Sequence, residues 1–261
     1  MDKLPFLDYE PLEREHREKN IKLLYNSLND ESLREKVNSF AEKFDLSPKF
    51  VLQKIIDDPI FGLSFAKDPG KQSFHEATAI SFIQSLPLIS NVIKLPSGGK
   101  NAIYVINGNL IKGKDKTSDT DAKSIDFYWE YRRGKKILKF YATHKYTKVS
   151  GGSQNNQEKD AKQFLENTRK CNSNDIFFFA ILDGQYYVEE YKNSSRVDII
   201  KKEIKGERIQ VTDINKLLYY ICLEIRKWLD NNNIENNEDD ILIDEILNMY
   251  NLQENNNQKL F

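Results

Sequence analysis

The chain has 261 residues, of which 39% are hydrophobic and 30% charged, so its composition argues against a disordered protein. This length suits one large domain, or a domain with an extra region, and allows a sizeable core. Two distant cysteines, Cys171 and Cys222, argue against a disulfide framework and favour a reducing compartment. No apolar run approaches the roughly 18 residues that cross a membrane, and the N-terminal stretch lacks the apolar part of a secretory signal. We therefore expect a cytoplasmic protein with no membrane partner.

The net charge of −1 hides an uneven distribution. Residues 91–170 contain 17 Lys or Arg against eight Asp or Glu, a charge of about +9, so the remainder carries about −10. A basic middle between acidic ends predicts that the middle binds a polyanion. The alternative is that these cations are only solvated on hairpin surfaces.

Residues 1–70 predict an N-terminal helical region. Apolar residues recur at helical spacing in LEREHREKNIKLLYNSL and in ESLREKVNSFAEKF. Ser47 followed by Pro48 is typical of a helix start and opens a third helix, which Asp58 and Pro59 close. We interpret this region as a helical support, with a DNA-contacting arm as the alternative.

Residues 71–231 predict a mixed α/β core. A helix from about Phe74 to Leu86 comes first, with Ser73 as its N-cap and Glu76 completing a capping box. β-branched and aromatic residues then dominate four stretches that are punctuated by Gly and Asn, which predicts strands: NVIKLPSG, NAIYVINGNLI, SIDFYWEY and KILKFYAT. This order predicts a central mixed β-sheet flanked by helices, of the α/β or α+β class.

The second half of this core alternates helices and strands. The helix after the glycine-rich loop is expected to turn four side chains inward: Ala161, Phe164, Leu165 and Thr168. DIFFFAILDGQYYVEEY predicts a strand, an Asp-Gly turn and a second strand, with residues 176–182 buried on both faces of a sheet. A short strand and a long helix follow. Residues 232–261 form an acidic, Asn-rich C-terminal tail with one short amphipathic helix in DDILIDEILNMY.

A β-hairpin is predicted by SIDFYWEYRRGKKILKFYATHK, with RRGKK as its turn. Pairing around Gly134 brings Asp126 opposite Ala142, with Thr143 next to it. Lys145 lies two residues further along, so Asp126 and Lys145 are expected to meet at the open end of the hairpin. Such a pair suits phosphodiester cleavage, because the aspartate can hold Mg²⁺ and the lysine can orient the attacking water and stabilise negative charge.

Asp126, followed by ATHK ending at Lys145, resembles the PD-(D/E)XK nuclease signature, and the order helix, hairpin, Gly-Gly loop, helix is similar to type II restriction endonucleases. The resemblance spans about Lys71 to Leu165, less than half of the chain. It implies a restriction-endonuclease-like fold and Mg²⁺-dependent cleavage of double-stranded DNA at a specific site. It also implies a homodimer, and a cognate DNA methyltransferase as a functional rather than physical partner.

Two positions depart from the pattern of this superfamily. Ile125 stands where a proline precedes the aspartate, and Thr143 stands where a second acidic residue is usual. A threonine hydroxyl is a poor replacement for a carboxylate on Mg²⁺. Three sources of the second ligand stay open: Glu76, because relatives supply an acid from the upstream helix, Glu158 from the helix after the loop, or Thr143 itself through water or its backbone carbonyl.

The loop GGSQNNQ adds four amide side chains: Gln154, Asn155, Asn156 and Gln157. Amides can pair with base edges, or they can cap the helix that begins here. If the helix starts near Asn156, Gln157 falls on its inward face and is expected to support the catalytic site. Three nearby cations are expected to contact phosphates, unless they are ordinary surface charges: Lys148, Arg132 and Arg133.

Two histidines lie close to these candidates. His144 is on the opposite strand face from Lys145, and we expect it to be structural. His75, beside Glu76, invites a zinc site, but three scattered histidines and two distant cysteines lack ligand spacing.

Three functions follow from these residues. The first is a site-specific DNA endonuclease of a restriction–modification system. The second is a DNA repair or structure-specific nuclease on the same fold. The third is a non-catalytic DNA-binding protein in which Thr143 marks a degenerate site.

Overall fold

The computed structural model describes residues 3–66, 72–117, 122–148, 154–190, 194–234 and 237–258. The chain divides into two units, Asp8–His75 and Met1–Leu7 together with Glu76–Phe261. No helix in the described ranges has both the length and the apolar character needed to cross a membrane.

The unit Asp8–His75 is helical, which confirms the predicted N-terminal helices. It contains α1 (Tyr9–Asn26), α2 (Glu31–Lys43), α3 (Pro48–Asp57), α4 (Pro59–Gly62) and the beginning of α5 (Gln72–Gln84). Ser47 caps α3 as expected, since its Oγ accepts a hydrogen bond from Phe50 N at 3.1 Å. Buried apolar side chains from these helices form the core of the unit: Leu24, Leu33, Val37, Ala41, Val51, Ile55 and Phe65.

The other unit is built on a five-stranded mixed sheet, which confirms the predicted fold class. The strands of the chain are β1 (Ser90–Lys94), β2 (Ile103–Ile106), β3 (Asn109–Lys112), β4 (Phe127–Arg133), β5 (Lys136–Tyr146), β6 (Ile176–Asp183) and β7 (Ile209–Thr212). The sheet has the order β1–β4–β5–β6–β7, and β2 and β3 form a separate antiparallel hairpin. β1, β4 and β5 are antiparallel neighbours, whereas β5, β6 and β7 run parallel.

Helices flank this sheet, as the sequence predicts. They are the rest of α5 and then α6 (Gln154–Thr168), α7 (Gln185–Val188), α8 (Arg196–Glu203), α9 (Leu217–Asn231) and α10 (Glu238–Gln258). Ala161, Phe164 and Leu165 of α6 pack with buried residues of β5 and β6, and Thr168 is also buried, which confirms its predicted inward face. β6 is central, and its residues from Phe177 to Leu182 are at most 2% exposed, as its continuous apolar run predicts.

The register of the β4–β5 hairpin differs by one residue from the prediction. Phe127, and not Asp126, lies opposite Ala142, and Arg133 lies opposite Lys136. The turn therefore has two central residues rather than three, and Gly134 takes the first with a φ of +58°. Glycine suits this position because a two-residue hairpin turn needs positive φ there. The shift moves Asp126 beside Thr143, on the same sheet face.

Three further predictions differ from the structure. The stretch after Asp183 forms α7 instead of a second strand, because Gly184 turns the chain with a φ of +87° and Tyr186 N bonds to Thr147 O at 3.2 Å. α5 begins at Gln72, so Ser73 lies inside the helix and is not its N-cap. α10 has 21 residues, Glu238–Gln258, and is longer than the short helix expected in the tail, although its buried apolar residues Ile243, Ile246 and Tyr250 all lie within the predicted piece.

Candidate active site

Asp126 lies directly before β4, at the end of the sheet where β5 continues towards Tyr146. Hydrogen bonds from both neighbouring strands fix its backbone. Asp126 N donates to Ala142 O at 2.9 Å, and Leu95 N donates to Asp126 O at 2.8 Å. The aspartate is therefore held as firmly as a strand residue, and its side chain points to the same face as Thr143 and Lys145.

Three consecutive residues of β5 contact one carboxylate oxygen of Asp126. Thr143 Oγ1 donates to Oδ2 at 3.0 Å, and His144 N donates to it at 2.8 Å. Lys145 Nζ lies 3.6 Å from the same oxygen. The side chains of Lys145 and Asp126 are 15% and 11% exposed, so the ion pair is shielded but still reaches the surface. Among the described residues, no hydrogen bond or ion pair reaches Oδ1.

The two glutamates considered as second metal ligands each bind cations of the protein. Glu76 Oε2 lies 2.7 Å from Lys94 Nζ instead of forming the predicted capping box. Glu158 contacts Lys162 at 2.9 Å and Arg196 at 3.1 Å. Burial alone would raise the pKa of Glu158, but the hydrogen bond and charge of Lys162 and the charge of Arg196 lower it. Both glutamates therefore pair with cations other than Lys145, and the carboxylate that lies beside Lys145 is that of Asp126.

Thr143 is 2% exposed and uses its hydroxyl proton for Asp126. Its hydroxyl therefore helps to orient the aspartate. In the described ranges, no three or more His, Cys, Asp or Glu side chains come together as a metal site. In proteins generally, Mg²⁺ is usually held by only one or two carboxylates, with substrate phosphates and water as its other ligands. The donor set around Asp126 fits that mode of binding and not a cage made by protein alone.

Gln157 is tied to the end of β5 rather than to Asp126 or Lys145. Its Oε1 accepts a hydrogen bond from Thr147 Oγ1 at 2.8 Å, two residues beyond Lys145. α6 begins at Gln154, earlier than the expected start near Asn156. Asn155, Asn156 and Lys148 are exposed, while the side chain of Gln154 and residues 149–153 lie outside the described part of the chain.

The two arginines of the β4–β5 hairpin pair with acids of the protein. Arg132 Nη2 lies 2.5 Å from Glu130 Oε2, and its side chain is 48% exposed. Arg133 is only 9% exposed and contacts Asp240 at 2.7 Å. Arg133 is therefore directed inward, contrary to the expected phosphate contact, because its strand position faces the acidic first turn of α10.

His144 and His75 both have buried carboxylate partners. His144 Nε2 lies 3.0 Å from Asp183 Oδ2, and Asp183 Oδ1 accepts a hydrogen bond from Ile214 N at 2.8 Å. His75 Nε2 lies 2.9 Å from Glu13 Oε1 within its own unit. Sequence reasoning did not single out Asp183, although an acid that ends a continuous apolar run was a visible sign of a buried partner.

Comparisons of this chain with protein-family models, curated proteins and solved structures find no match.

Proposed function

We propose that the protein is a Mg²⁺-dependent, site-specific endonuclease for double-stranded DNA, similar to type II restriction endonucleases of the PD-(D/E)XK superfamily. The observation that carries this proposal is the pair of Asp126 and Lys145, 3.6 Å apart on one face at the end of the sheet. An acid and an amine in this arrangement suit hydrolysis of a phosphodiester. The charge of about +9 over residues 91–170 supports a polyanionic substrate.

In this proposal each residue of the pair has one role. Asp126 holds Mg²⁺ through its carboxylate, while Thr143 and the backbone of His144 fix the orientation of that carboxylate. When bound, Mg²⁺ neutralises charge on the phosphate and makes a bound water more acidic. Lys145 orients the attacking water and stabilises the negative charge that develops on the phosphoryl oxygens.

The biological setting comes from the resemblance in sequence. A homodimer would place two such sites on the two strands of a symmetric DNA sequence. A cognate DNA methyltransferase would protect the host, and both proteins would act in the cytoplasm.

The test is incubation of the full chain with unmethylated phage DNA, with Mg²⁺ and with EDTA. We expect discrete fragments only with Mg²⁺, and none from Asp126→Ala or Lys145→Ala. Asp230→Ala and Lys135→Ala are matched controls, because both residues are exposed and remove the same charges elsewhere. Discrete cutting that survives Asp126→Ala and Lys145→Ala would place the active site elsewhere.

Thr143 favours one alternative, a non-catalytic DNA-binding protein, because its hydroxyl occupies the place of the second acid. Binding of duplex DNA without cleavage in Mg²⁺ would support that alternative. Cleavage restricted to flaps or junctions would instead support a DNA repair or structure-specific nuclease.

A further inference from the structure

The β2–β3 hairpin and its flanking turns carry three exposed lysines, which we call the basic ridge: Lys100, Lys112 and Lys114. Among the described residues, their ammonium groups form no ion pair or hydrogen bond. The neighbouring Lys116 differs, since its Nζ donates to Ala122 O at 3.0 Å and lies 4.5 Å from the centre of the Tyr104 ring. Within the described ranges, the ridge thus consists of cations without an ion-pair or hydrogen-bond partner in the protein.

The backbone holds the three ridge residues together. Lys112 pairs with Ile103, and Lys114 N donates to Lys100 O at 3.2 Å. Gly113 permits this approach, because a Cβ there would lie 2.0 Å from Gly99 O. The backbone thus brings three lysines to one end of the hairpin, and a cluster of like charges favours a polyanion as partner.

The other end of the hairpin is closed by its contact with the end of α6. The turn has two residues with positive φ, Asn107 at +50° and Gly108 at +83°. Gly108 N donates to Asn167 O at 2.8 Å, and Lys170 Nζ donates to Asn107 Oδ1 at 3.1 Å. The turn is therefore occupied by the protein, whereas in the described part of the chain the three lysines at the other end of the hairpin remain exposed.

Hydrogen bonds also tie the ridge to the candidate active site. Ile103, the partner of Lys112, accepts a hydrogen bond from Ile125 N at 2.8 Å. Ile125 directly precedes Asp126 in the chain. Adjacent strands lie about 4.8 Å apart, so the backbone of Lys112 lies about 10 Å from that of Ile125. A DNA strand cleaved beside Asp126 would pass the ridge within a few phosphates of the cleaved bond.

We infer that the basic ridge binds the phosphodiester backbone of DNA beside the cleaved bond, through charge and without reading bases. Lysine ammonium groups act as point charges, which suits phosphate contacts that fix the position of the duplex. The inference rests on the proposed function, because it takes the DNA path from the pair Asp126 and Lys145.

The test measures the binding of the full chain to a fluorescein-labelled DNA duplex of random sequence, in EDTA, between 50 and 200 mM KCl. Each phosphate contact contributes about 0.9 to the slope of log affinity against log salt. We therefore expect K100A/K112A/K114A to lower that slope by about 2.7, so that wild-type affinity falls about 40-fold more than that of the variant across this range. K100R/K112R/K114R keeps the charges and should keep the slope.

The matched control is K3A/K202A/K205A, which removes three exposed lysines of the same unit that lie outside residues 91–170 and should leave the slope near the wild-type value. If the wild type cuts phage DNA but the slope of K100A/K112A/K114A equals that of the wild type, the proposed role of the ridge is wrong and the proposed endonuclease is unaffected. Ridge-dependent binding without any cutting in Mg²⁺ would overturn the endonuclease and keep the ridge only as a contact to the DNA backbone. A wild-type chain that does not bind DNA would overturn both.

Discussion

Two acid–base pairs lie on opposite faces of β5, one residue apart in sequence. Lys145 and Asp126 are separated by 3.6 Å, and their side chains are 15% and 11% exposed. His144 and Asp183 are closer, at 3.0 Å, but only 0% and 3% exposed. The shorter distance therefore belongs to the pair that a substrate cannot reach. Proximity of an acid and a base does not by itself identify a reactive site, and it is exposure that separates the two pairs.

The second oxygen of Asp183 shows what the buried pair does. It accepts a hydrogen bond from Ile214 N, so the pair connects β5 and β6 to the turn that follows β7. On the other face, one oxygen of Asp126 accepts two hydrogen bonds from β5 and lies 3.6 Å from Lys145 Nζ, and no hydrogen bond or ion pair from the described residues reaches the other oxygen. A buried acid that uses both of its oxygens within the fold stabilises the fold, whereas a partly exposed acid with an unused oxygen can act on a ligand.

The largest effect on DNA cleavage is expected when the partly exposed pair of Asp126 and Lys145 is broken. Asp126→Asn or Lys145→Met should lower Mg²⁺-dependent DNA cleavage by about 10³-fold or more, because each removes a charge that acts on the phosphate. The free energy of unfolding should change by about 1 kcal/mol, as is usual for partly exposed ion pairs. Single-turnover cleavage and urea unfolding measure the two quantities. A variant that keeps a tenth of the wild-type rate would remove that residue from the chemistry.

Breaking the buried pair of His144 and Asp183 should affect stability strongly and the cleavage rate of the folded protein little. His144→Ala or Asp183→Ala leaves a buried partner without its contact and should lower the free energy of unfolding by about 3–5 kcal/mol. Asp183→Asn keeps an acceptor for Ile214 N and should cost less. Cleavage at low temperature should fall only as the folded fraction falls. If His144→Ala folds like the wild type but cleaves 10³-fold more slowly, the buried pair takes part in the reaction.

A smaller effect is expected at Thr143, whose hydroxyl donates to Asp126 of the Asp126–Lys145 pair. Thr143→Val keeps the shape of the side chain but removes the donor to Asp126 Oδ2, and cleavage should fall about tenfold, in line with one hydrogen bond to a charged group. Thr143→Ser keeps the hydroxyl and should restore the rate. Equal rates for the two variants would show that the hydroxyl does not position Asp126.

The sequence predicted on which sheet face each of these side chains lies better than it predicted which residues they contact. Alternation along a strand places Thr143 and Lys145 together and His144 opposite, whatever the register. The predicted hairpin register was wrong by one residue, because RRGKK allows a loop of two or three residues around Gly134. Partners distant in sequence were harder to predict. Arg133 lies 107 residues from Asp240, and nothing local to either residue indicates that contact.

The last prediction concerns Asp213, which lies near the buried pair. Burial, and then repulsion by Asp183, raises the pKa of Asp213 above its ordinary value of 3.8. The folded protein therefore holds this proton more tightly than the unfolded chain does, so the group favours folding at acidic pH. That contribution is lost as the pH rises from 3.8 through the raised pKa.

Asp213→Asn should remove the loss of stability that the ionisation of Asp213 causes as the pH rises. The variant should still cap the turn, because asparagine also offers an oxygen to Asn215 N and Lys216 N. We expect the free energy of unfolding of this variant to fall less than that of the wild type between about pH 4 and pH 7. Urea unfolding at several pH values measures the difference, with Asp230→Asn as an exposed control. Parallel pH profiles for wild type and Asp213→Asn would show that folding does not raise the pKa of Asp213.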